Sequence, residues 1–261
     1  MRWITTLYGR RPDFQVFAAL TLACMLVLGL GLMPSTHAPA HAGEQPQKGG
    51  TVIWAVHESM PGFDMHYDTT YILAQPVAPI YNGLVTQDPY NNGKIIGDLA
   101  ERWEITEEGK RITFFLHKGV KFHDGSPFSC ADAQYTMDKL ADRKRTGPAF
   151  VSVVEEVYEA SSCADDFTLV VSLKRPSAAL LTLLSGAHMA MMKKGLAEAV
   201  DRKDTKFLIG TGPFKFKSYN PGVDFQAERN PNYWKPGLPH LDGYRAVVMS
   251  DLTKIFASFR A

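Results

Sequence analysis

The sequence predicts an α/β protein in which strands and helices alternate along the chain. β-rich runs such as Thr51–Val56 and Arg111–Leu116 carry the branched and aromatic residues that favour strands. Other segments place apolar residues at helical spacing, for example Ala133, Met137 and Leu140. Short turns rich in glycine, proline and aspartate separate the runs. A mixture of this kind is typical of α/β folds.

The first predicted elements are a strand, a loop and a short helix. The run TVIWAV at 51–56 has the composition of a strand, and a loop rich in turn-forming residues follows it. A helix is predicted over Ile72–Asn82, where Pro76 and Pro79 must shorten or kink it. Gly83 is placed to end this helix.

A hairpin and a capped helix are predicted next. Trp103–Thr106 and Arg111–Leu116 form the strands, and the polar turn EEGK between them holds a glycine that adopts a positive φ at little cost. Ser129 stands three residues before Asp132, which is the spacing of a capping box that opens a helix.

The remaining chain repeats the same alternation of patterns. Four leucines between Pro176 and Gly186 predict a helix with proline near its start and glycine just past its end. The turn Asn220-Pro221-Gly222 predicts a hairpin between the β-rich runs on either side. In order, the predicted elements are strands at Val151–Glu159 and Phe167–Leu173, helices at Ser177–Ser185 and Lys193–Asp201, the hairpin Phe214–Tyr219 with Val223–Glu228, a strand at Tyr244–Met249 and a helix from Leu252 to Arg260.

Residues 1–42 carry the pattern of an export signal. A basic start precedes the uncharged 18-residue run Val16–Met33, and Ala40-His41-Ala42 is a small-x-small site that predicts cleavage before Gly43. An uncleaved membrane anchor is the alternative, since the apolar run approaches the ~20 residues that span a bilayer. The pair Arg10-Arg11 leaves twin-arginine export open as well.

Charge and cysteine content narrow the class of protein. The first 42 residues hold three arginines and one aspartate, so the 28 basic and 27 acidic residues of the chain leave 25 and 26 for the remainder. A remainder so near neutrality has no electrostatic footprint for nucleic acid. Beyond residue 42 the cysteines are Cys130 and Cys163. In an oxidising compartment they are expected either to pair as a disulfide or to remain two separate buried thiols.

Several ordered motifs carry a resemblance to a known family. They are KGGT at 48–51, YNGLV at 81–85, DLAERWEITEEGKRITFFLHKGVKFHDGSPFSCADA at 98–133, GTGPF at 210–214 and ERNPNYW at 228–234. Together they resemble the family 5 extracellular solute-binding proteins, which are the peptide, dipeptide, opine and nickel receptors of ABC importers. The resemblance covers about residues 48–261, with Asn82 standing where the family usually has an acid.

The resemblance implies a bilobal fold of the periplasmic binding protein type 2 class, in which the first lobe is discontinuous in sequence. By this analogy residues 43–83 and 205–261 belong to lobe I, and residues 84–204 form a smaller, inserted lobe II. Family members carry a further large lobe beyond the position of Ala261, so the chain is expected to be a truncated, N-terminal part of such a receptor.

The resemblance also places the candidate ligand wall in the loop GFDMHYDTTY at 62–71. Phe63-Asp64-Met65-His66 occupies the place of the family's L-D-P-H motif, with methionine replacing proline. In peptide-binding relatives, residues a few positions beyond that motif contact the ligand backbone. Carried over to this chain, they are Thr69 and Tyr71, with Tyr67 nearby. The alternative is that these residues simply pack against the scaffold.

Motifs of enzymes and metal sites are missing from the sequence. It contains no G-x-S-x-G elbow, no C-x-x-C pair, no H-E-x-x-H helix and no phosphate-binding glycine loop, so neither catalysis nor a cofactor is expected. His123-Asp124-Gly125 indicates a tight turn rather than an acid–base or metal pair. His57 and His66 lack the paired spacing of metal ligands, so no metal site is expected.

These observations predict the periplasmic substrate-binding component of an ABC transporter for peptides or similar small polar solutes, present as a truncated chain. Its expected partners are the ligand, a permease in the inner membrane and a separate chain that supplies the missing lobe. Its expected mechanism is lobe closure around the ligand followed by docking on the permease. Two alternatives stay open: a nonfunctional or partner-dependent fragment, and a membrane-anchored sensor module that retains Val16–Met33.

Overall fold

The structure, a computed structural model, describes residues 46–147, 154–258 and 260. The predicted export signal at 1–42 therefore lies outside the described residues. Within the described part, no helix has the length and apolar character needed to cross a membrane. Strands and helices are mixed along the chain, which confirms the predicted α/β class.

The described elements are short strands and short helices. The strands are β1 (Thr51–Val56), β2 (Val85–Gln87), β3 (Ile95–Gly97), β4 (Ala100–Thr106), β5 (Arg111–Leu116), β6 (Tyr158–Asp165), β7 (Thr168–Leu173), β8 (Phe214–Asn220), β9 (Asp224–Arg229) and β10 (Gly243–Val248). The helices are α1 (Tyr71–Val77), α2 (Cys130–Leu140), α3 (Ala179–Leu184), α4 (Leu196–Ala199) and α5 (Leu252–Ser258). These strands form two four-stranded sheets and the separate hairpin β2–β3.

The first sheet brings together strands from both ends of the described chain. Its order is β1-β10-β9-β8, with β1 parallel to β10 and the other neighbours antiparallel. Phe225 and Tyr244 of this sheet pack in one buried core with Leu73 and Val77 of α1. Because α1 follows β1 directly, this core fixes both ends of the segment 57–70, which holds candidate site residues.

The second sheet is antiparallel, with the order β4-β5-β7-β6. Its central strands alternate between the core and the opposite face, as a strand period of two requires: in β5 Ile112, Phe114 and Leu116 are buried. Met137 and Leu140 of α2 belong to the same core. The predicted apolar face of this helix is therefore buried.

The start of α2 is fixed in two ways. Ser129 and Asp132 form the predicted capping box, in which the Ser129 backbone N–H donates to the Asp132 carboxylate at 2.9 Å. The structure also joins Cys130, the first residue of the helix, to Cys163 of β6 by a disulfide whose Cα atoms lie 5.8 Å apart. The N-terminal end of α2 is thus tied to the sheet that it covers.

Two strand predictions differ from the structure. In the strand predicted at Val151–Glu159, residues 151–153 lie outside the described residues. The prediction is wrong for residues 154–157, which are helical, and β6 begins only at Tyr158. The hairpin β2–β3 was not predicted, since its two strands have three residues each and carry no clear alternation. Both differences concern short apolar runs, in which strand and helix patterns look alike.

Two helices are shorter than predicted. The helix predicted over Ile72–Asn82 ends at Val77, and a 3₁₀ turn at Ala78–Ile80 follows because proline cannot continue the α-helical hydrogen-bond pattern. The helix predicted over Lys193–Asp201 is reduced to α4. Gly195 precedes α4 in a left-handed conformation, at φ +78°, and so interrupts the earlier part.

The segment that contains α4 packs with the first sheet. Ala190, Met192 and Leu196 are buried in the core that contains Phe225, whereas Met191 belongs to the core of the second sheet. The chain therefore passes from one core to the other at this point. The division into lobes at 43–83 with 205–261 and at 84–204 stays a prediction.

Candidate functional site

The three predicted ligand-wall residues lie in one exposed segment that ends at the first residue of α1. Tyr67 is 42% exposed and Tyr71 is 79% exposed, and Thr69 between them is exposed as well. Tyr71 is the first residue of α1, so the helix fixes its backbone. Two tyrosine rings and a threonine hydroxyl are therefore accessible in one short stretch of chain.

The residues just before this segment are buried and form its anchor. Phe63 and Met65 lie in the core of the first sheet, where the Phe63 ring meets the Tyr219 ring edge-on with centroids 5.4 Å apart. The polar residues Asp64 and His66 are buried as well, at 5% and 1% exposure. The anchor thus ends directly before the exposed segment.

A buried ion pair holds this anchor to α2. Nζ of Lys139 donates to both carboxylate oxygens of Asp64, at 3.2 and 2.9 Å. It also lies 3.2 Å from Nδ1 of His66, and because an ammonium has no acceptor, Nδ1 must accept. Nε2 of His66 then donates to the carbonyl oxygen of Ala190 at 2.8 Å. The anchor, α2 and the segment before α4 meet at this cluster.

Burial sets the protonation of the cluster. Burial and the neighbouring Lys139 ammonium lower the pKa of His66 to about 3, so its imidazole is neutral at physiological pH. Burial also lowers the pKa of Lys139, while the Asp64 carboxylate opposes that change. Since all three side chains are buried, we assign them to positioning the loop rather than to touching a ligand.

Gly147 supports the exposed segment from the other side. Its backbone N–H donates to the carbonyl oxygen of His66 at 2.9 Å. A Cβ added at Gly147 would lie 1.9 Å from the carbonyl oxygen of Tyr67, so any larger residue must displace one of the two chains. The close approach of these backbones explains why glycine stands at this position.

Arg202 lies beside the candidate wall, although no local sequence pattern indicated it. Its guanidinium carbon lies 3.9 Å from the centroid of the Tyr67 ring. Its carbonyl oxygen accepts a hydrogen bond of 2.7 Å from the Phe63 backbone N–H. In sequence Arg202 belongs to the charged run DRKD, which is typical of solvated surface, and no local pattern links it to the loop.

A second polar cluster surrounds Asn82. The side-chain nitrogen of Asn82 donates to both carboxylate oxygens of Asp98, at 3.1 and 3.0 Å, and Nζ of Lys235 donates to the same carboxylate at 2.5 Å. Trp234 Nε1 donates to Oδ1 of Asn82 at 3.2 Å. Asn82, Asp98 and Lys235 line a cleft of about 330 Å³, but they are bonded to one another there. The cleft is therefore a weaker candidate than the exposed loop.

His123 connects two sequence motifs instead of forming a site. Its Nε2 donates to the carbonyl oxygen of Gly212 at 3.0 Å, and its Nδ1 accepts from the Gly210 N–H at 3.4 Å. Burial lowers the pKa of His123 to about 4. Gly125 adopts φ +85° in the predicted tight turn that follows. Throughout the described ranges, no group of three or more His, Cys, Asp or Glu residues is placed to hold a metal ion.

Comparison with known proteins identifies a family profile and individual proteins that this chain resembles. The profile of the bacterial extracellular solute-binding proteins, family 5 Middle, matches residues 94–261. The glutathione-binding protein GsiB of Pectobacterium atrosepticum is 31% identical over 185 residues, which cover 70% of this chain and 35% of that protein. The di/tripeptide-binding protein 1 of Pseudomonas aeruginosa is 26% identical over 250 residues, which cover 86% and 46%. The chain thus spans less than half the length of these relatives.

A solved structure shows the same arrangement of elements. The PBP AgaA from A. tumefaciens R10, in complex with agropinic acid, matches with a TM-score of 0.74 and 26% identity. The match covers 81% of this chain and 42% of that one. It confirms the mixed α/β periplasmic binding protein fold that the resemblance implied, over part of a larger structure.

Proposed function

Because this chain belongs to the bacterial extracellular solute-binding proteins of family 5, we propose that it forms one wall of the ligand site in the substrate-binding component of an ABC importer. The family consists of binding proteins and not of enzymes. We propose peptides or similar small polar solutes as the ligand class. The named ligands of two relatives, glutathione and di- or tripeptides, support this class.

The main support for the proposal is the exposed segment 67–71 together with the buried anchor at 63–66 that holds it. Tyr67, Thr69 and Tyr71 contact the ligand, with the tyrosine rings as apolar surface and the hydroxyl groups as hydrogen-bonding partners. The Lys139–Asp64 pair and the core contacts of Phe63 hold the segment in place without ligand. A preformed wall of this kind lowers the entropy lost when a ligand binds.

The opposite wall of the site comes from polypeptide outside this sequence, supplied by a further segment or by a separate chain. Residues 43–83 with 205–261 act as one lobe and residues 84–204 as the inserted lobe. The ligand is enclosed when the opposing parts close, and the closed form docks on a permease in the inner membrane. The protein works in the periplasm after residues 1–42 are removed. The present chain alone therefore binds ligand weakly.

Nuclear magnetic resonance tests the proposal, because it detects weak binding. Glutathione and trialanine are titrated into the isotope-labelled chain, and millimolar binding is expected to shift the resonances of residues 67–71. Tyr71→Ala reduces the affinity, whereas the matched variant Tyr90→Ala leaves it unchanged, because Tyr90 is 97% exposed in the turn between β2 and β3. Binding that is unaffected by Tyr71→Ala, or submicromolar binding by this chain alone, contradicts the proposal.

An apolar surface at β1 supports the partner-dependent form of this proposal. Ile53 is 62% exposed in the end strand of the first sheet, and Phe256 of α5 is 67% exposed. Ile53 and Ile255 line an apolar cleft of about 430 Å³ there. We propose that the polypeptide bearing the opposite wall packs on this surface. In its absence the chain is expected to self-associate, which light scattering measures. Ile53→Lys reduces that association, and a chain that stays monomeric at high concentration contradicts the idea.

A further inference from the structure

Arg202 differs from most arginines of the described chain in its lack of an acidic partner. Of the nine arginines in the described ranges, seven form an ion pair with a carboxylate. The other two are Arg260, two residues beyond α5, and Arg202. Arg202 lies beside the candidate wall, and within the described residues its guanidinium contacts a ring and no acid.

The contact with Tyr67 leaves the binding edge of the guanidinium open. With its central carbon 3.9 Å from the ring centroid, the guanidinium lies over the face of Tyr67. A guanidinium carries its five N–H donors in its own plane, and this flat fork matches the two oxygens of a carboxylate. Contact through the π face of the group therefore leaves in-plane donors for a second partner.

The backbone of Arg202 is held in register with the wall. The Phe63 N–H donates to the Arg202 carbonyl oxygen at 2.7 Å, and Phe63 is buried in the core of the first sheet. A Cβ added at Gly62 would lie 3.2 Å from the same carbonyl oxygen, so the two backbones approach closely. The cation is thus positioned by the same anchor that positions Tyr67.

We propose that Arg202 binds a carboxylate group of the solute and so makes the site selective for anionic over neutral ligands. This inference rests on the proposed ligand wall at Tyr67–Tyr71. An ionised pair shielded from water by the tyrosine ring is stronger than one at an open surface. Removal of the guanidinium is expected to weaken carboxylate binding by about tenfold or more.

The test uses three probes and one resonance. Trialanine and trialanine amide differ only at the C-terminal group, and acetate presents a carboxylate alone. Proton–nitrogen spectra follow the arginine Nε–Hε signals of the labelled chain, and the Arg202 signal is the one lost in Arg202→Gln. Trialanine and acetate are expected to shift this signal, and the amide is not. Arg202→Gln lowers the affinity for trialanine and not that for the amide, while Arg202→Lys retains part of it.

Controls separate this inference from the proposed function. Arg175→Gln, which alters an exposed arginine paired with Glu156 beside the second sheet, leaves all affinities unchanged. If trialanine and its amide bind with equal affinity and Arg202→Gln lowers both affinities equally, the inference is overturned. The proposed ligand wall is unaffected by that result. Acetate binding at Arg202 without binding of either peptide supports the carboxylate site and overturns the proposed peptide class. An Arg202 signal that no probe moves overturns the inference.

Discussion

The Lys139 ammonium donates to both carboxylate oxygens of Asp64 at a position where the two side chains are 1% and 6% exposed. Lys139 belongs to α2 under the second sheet, and Asp64 belongs to the loop after β1 of the first sheet. When apolar residues replace both partners of such a buried pair, the free energy of unfolding often changes little. Loss of one partner alone leaves an uncompensated charge in the interior. The pair therefore makes the position of the exposed loop depend on α2.

Removal of one partner is expected to destabilise the protein severely. Lys139→Met leaves the Asp64 carboxylate buried without its cation, which lowers the free energy of unfolding by about 3–5 kcal/mol. The double variant Lys139→Met with Asp64→Leu recovers much of that loss. Urea denaturation measures both. As a control, Arg143→Ala breaks an exposed pair with Glu155 and changes the free energy by about 1 kcal/mol at most. A single-variant loss as small as that of the control contradicts the role of the pair.

Stability is expected to fall as the pH drops below about 6.5, the ordinary pKa of histidine. In the folded state the pKa of His66 is lowered to about 3 and that of His123 to about 4, so unfolding at intermediate pH takes up protons. Each histidine then removes up to about 1.4 kcal/mol of stability per pH unit, and the loss continues until the pH reaches its folded-state pKa.

Denaturation at pH 7, 6, 5 and 4 measures this pH dependence. His66→Gln is expected to reduce the slope of stability against pH by the contribution of one histidine. His57→Gln, which alters an exposed histidine, is the comparison variant. A stability that stays constant between pH 6.5 and 4 contradicts the neutral, buried state of the two imidazoles.

The Cys130–Cys163 disulfide closes a loop with a sequence separation of 33 residues. In the chain-entropy account, closure of a loop of this length stabilises the folded state by about 3–4 kcal/mol. The double variant Cys130→Ala with Cys163→Ala is expected to lose that amount in urea denaturation. Peptide mapping without reductant should recover the two cysteines in one linked fragment. Two free thiols at these positions contradict the disulfide.

Gly147→Ala tests the support of the exposed segment. The added methyl group would meet the Tyr67 carbonyl oxygen at 1.9 Å, so we expect a loss of about 1–3 kcal/mol in stability and weaker ligand binding. Gly186→Ala is the control, because its methyl group would meet the Leu183 carbonyl oxygen at 3.2 Å, a contact that small shifts relieve. Equal stability and equal ligand affinity in the two variants would show that the close approach of the Gly147 and Tyr67 backbones affects neither.

Local patterns predicted the parts of the fold that depend on neighbours in sequence. The strand bounds at Thr51–Val56 and Arg111–Leu116 match the structure, because β-branched and aromatic composition and turn chemistry act over a few residues. The capping box at Ser129 was predicted for the same reason. By contrast, Glu107 and Glu108 adopt positive φ values in the turn where only the glycine was expected to do so.

The candidate site depended on contacts that the sequence does not display. Lys139 carries a charge near the end of a helix, a position that usually faces solvent, and its burial requires Asp64, 75 residues away. Arg202 contacts Tyr67 across a still longer separation in sequence. The family resemblance supplied the positions of Thr69 and Tyr71, whereas the groups that hold and flank them became visible only when the chain was folded.

The parallel pairing of β1 with β10 has a consequence for the order of folding. Thr51 pairs with Gly243, so the N-terminal strand has no partner until nearly the whole described chain has been made. The antiparallel strands of the second sheet find their partners much nearer in sequence. We expect the second sheet to assemble early. The strand TVIWAV then remains an unpaired, apolar segment, to which chaperones can bind and through which the chain can aggregate.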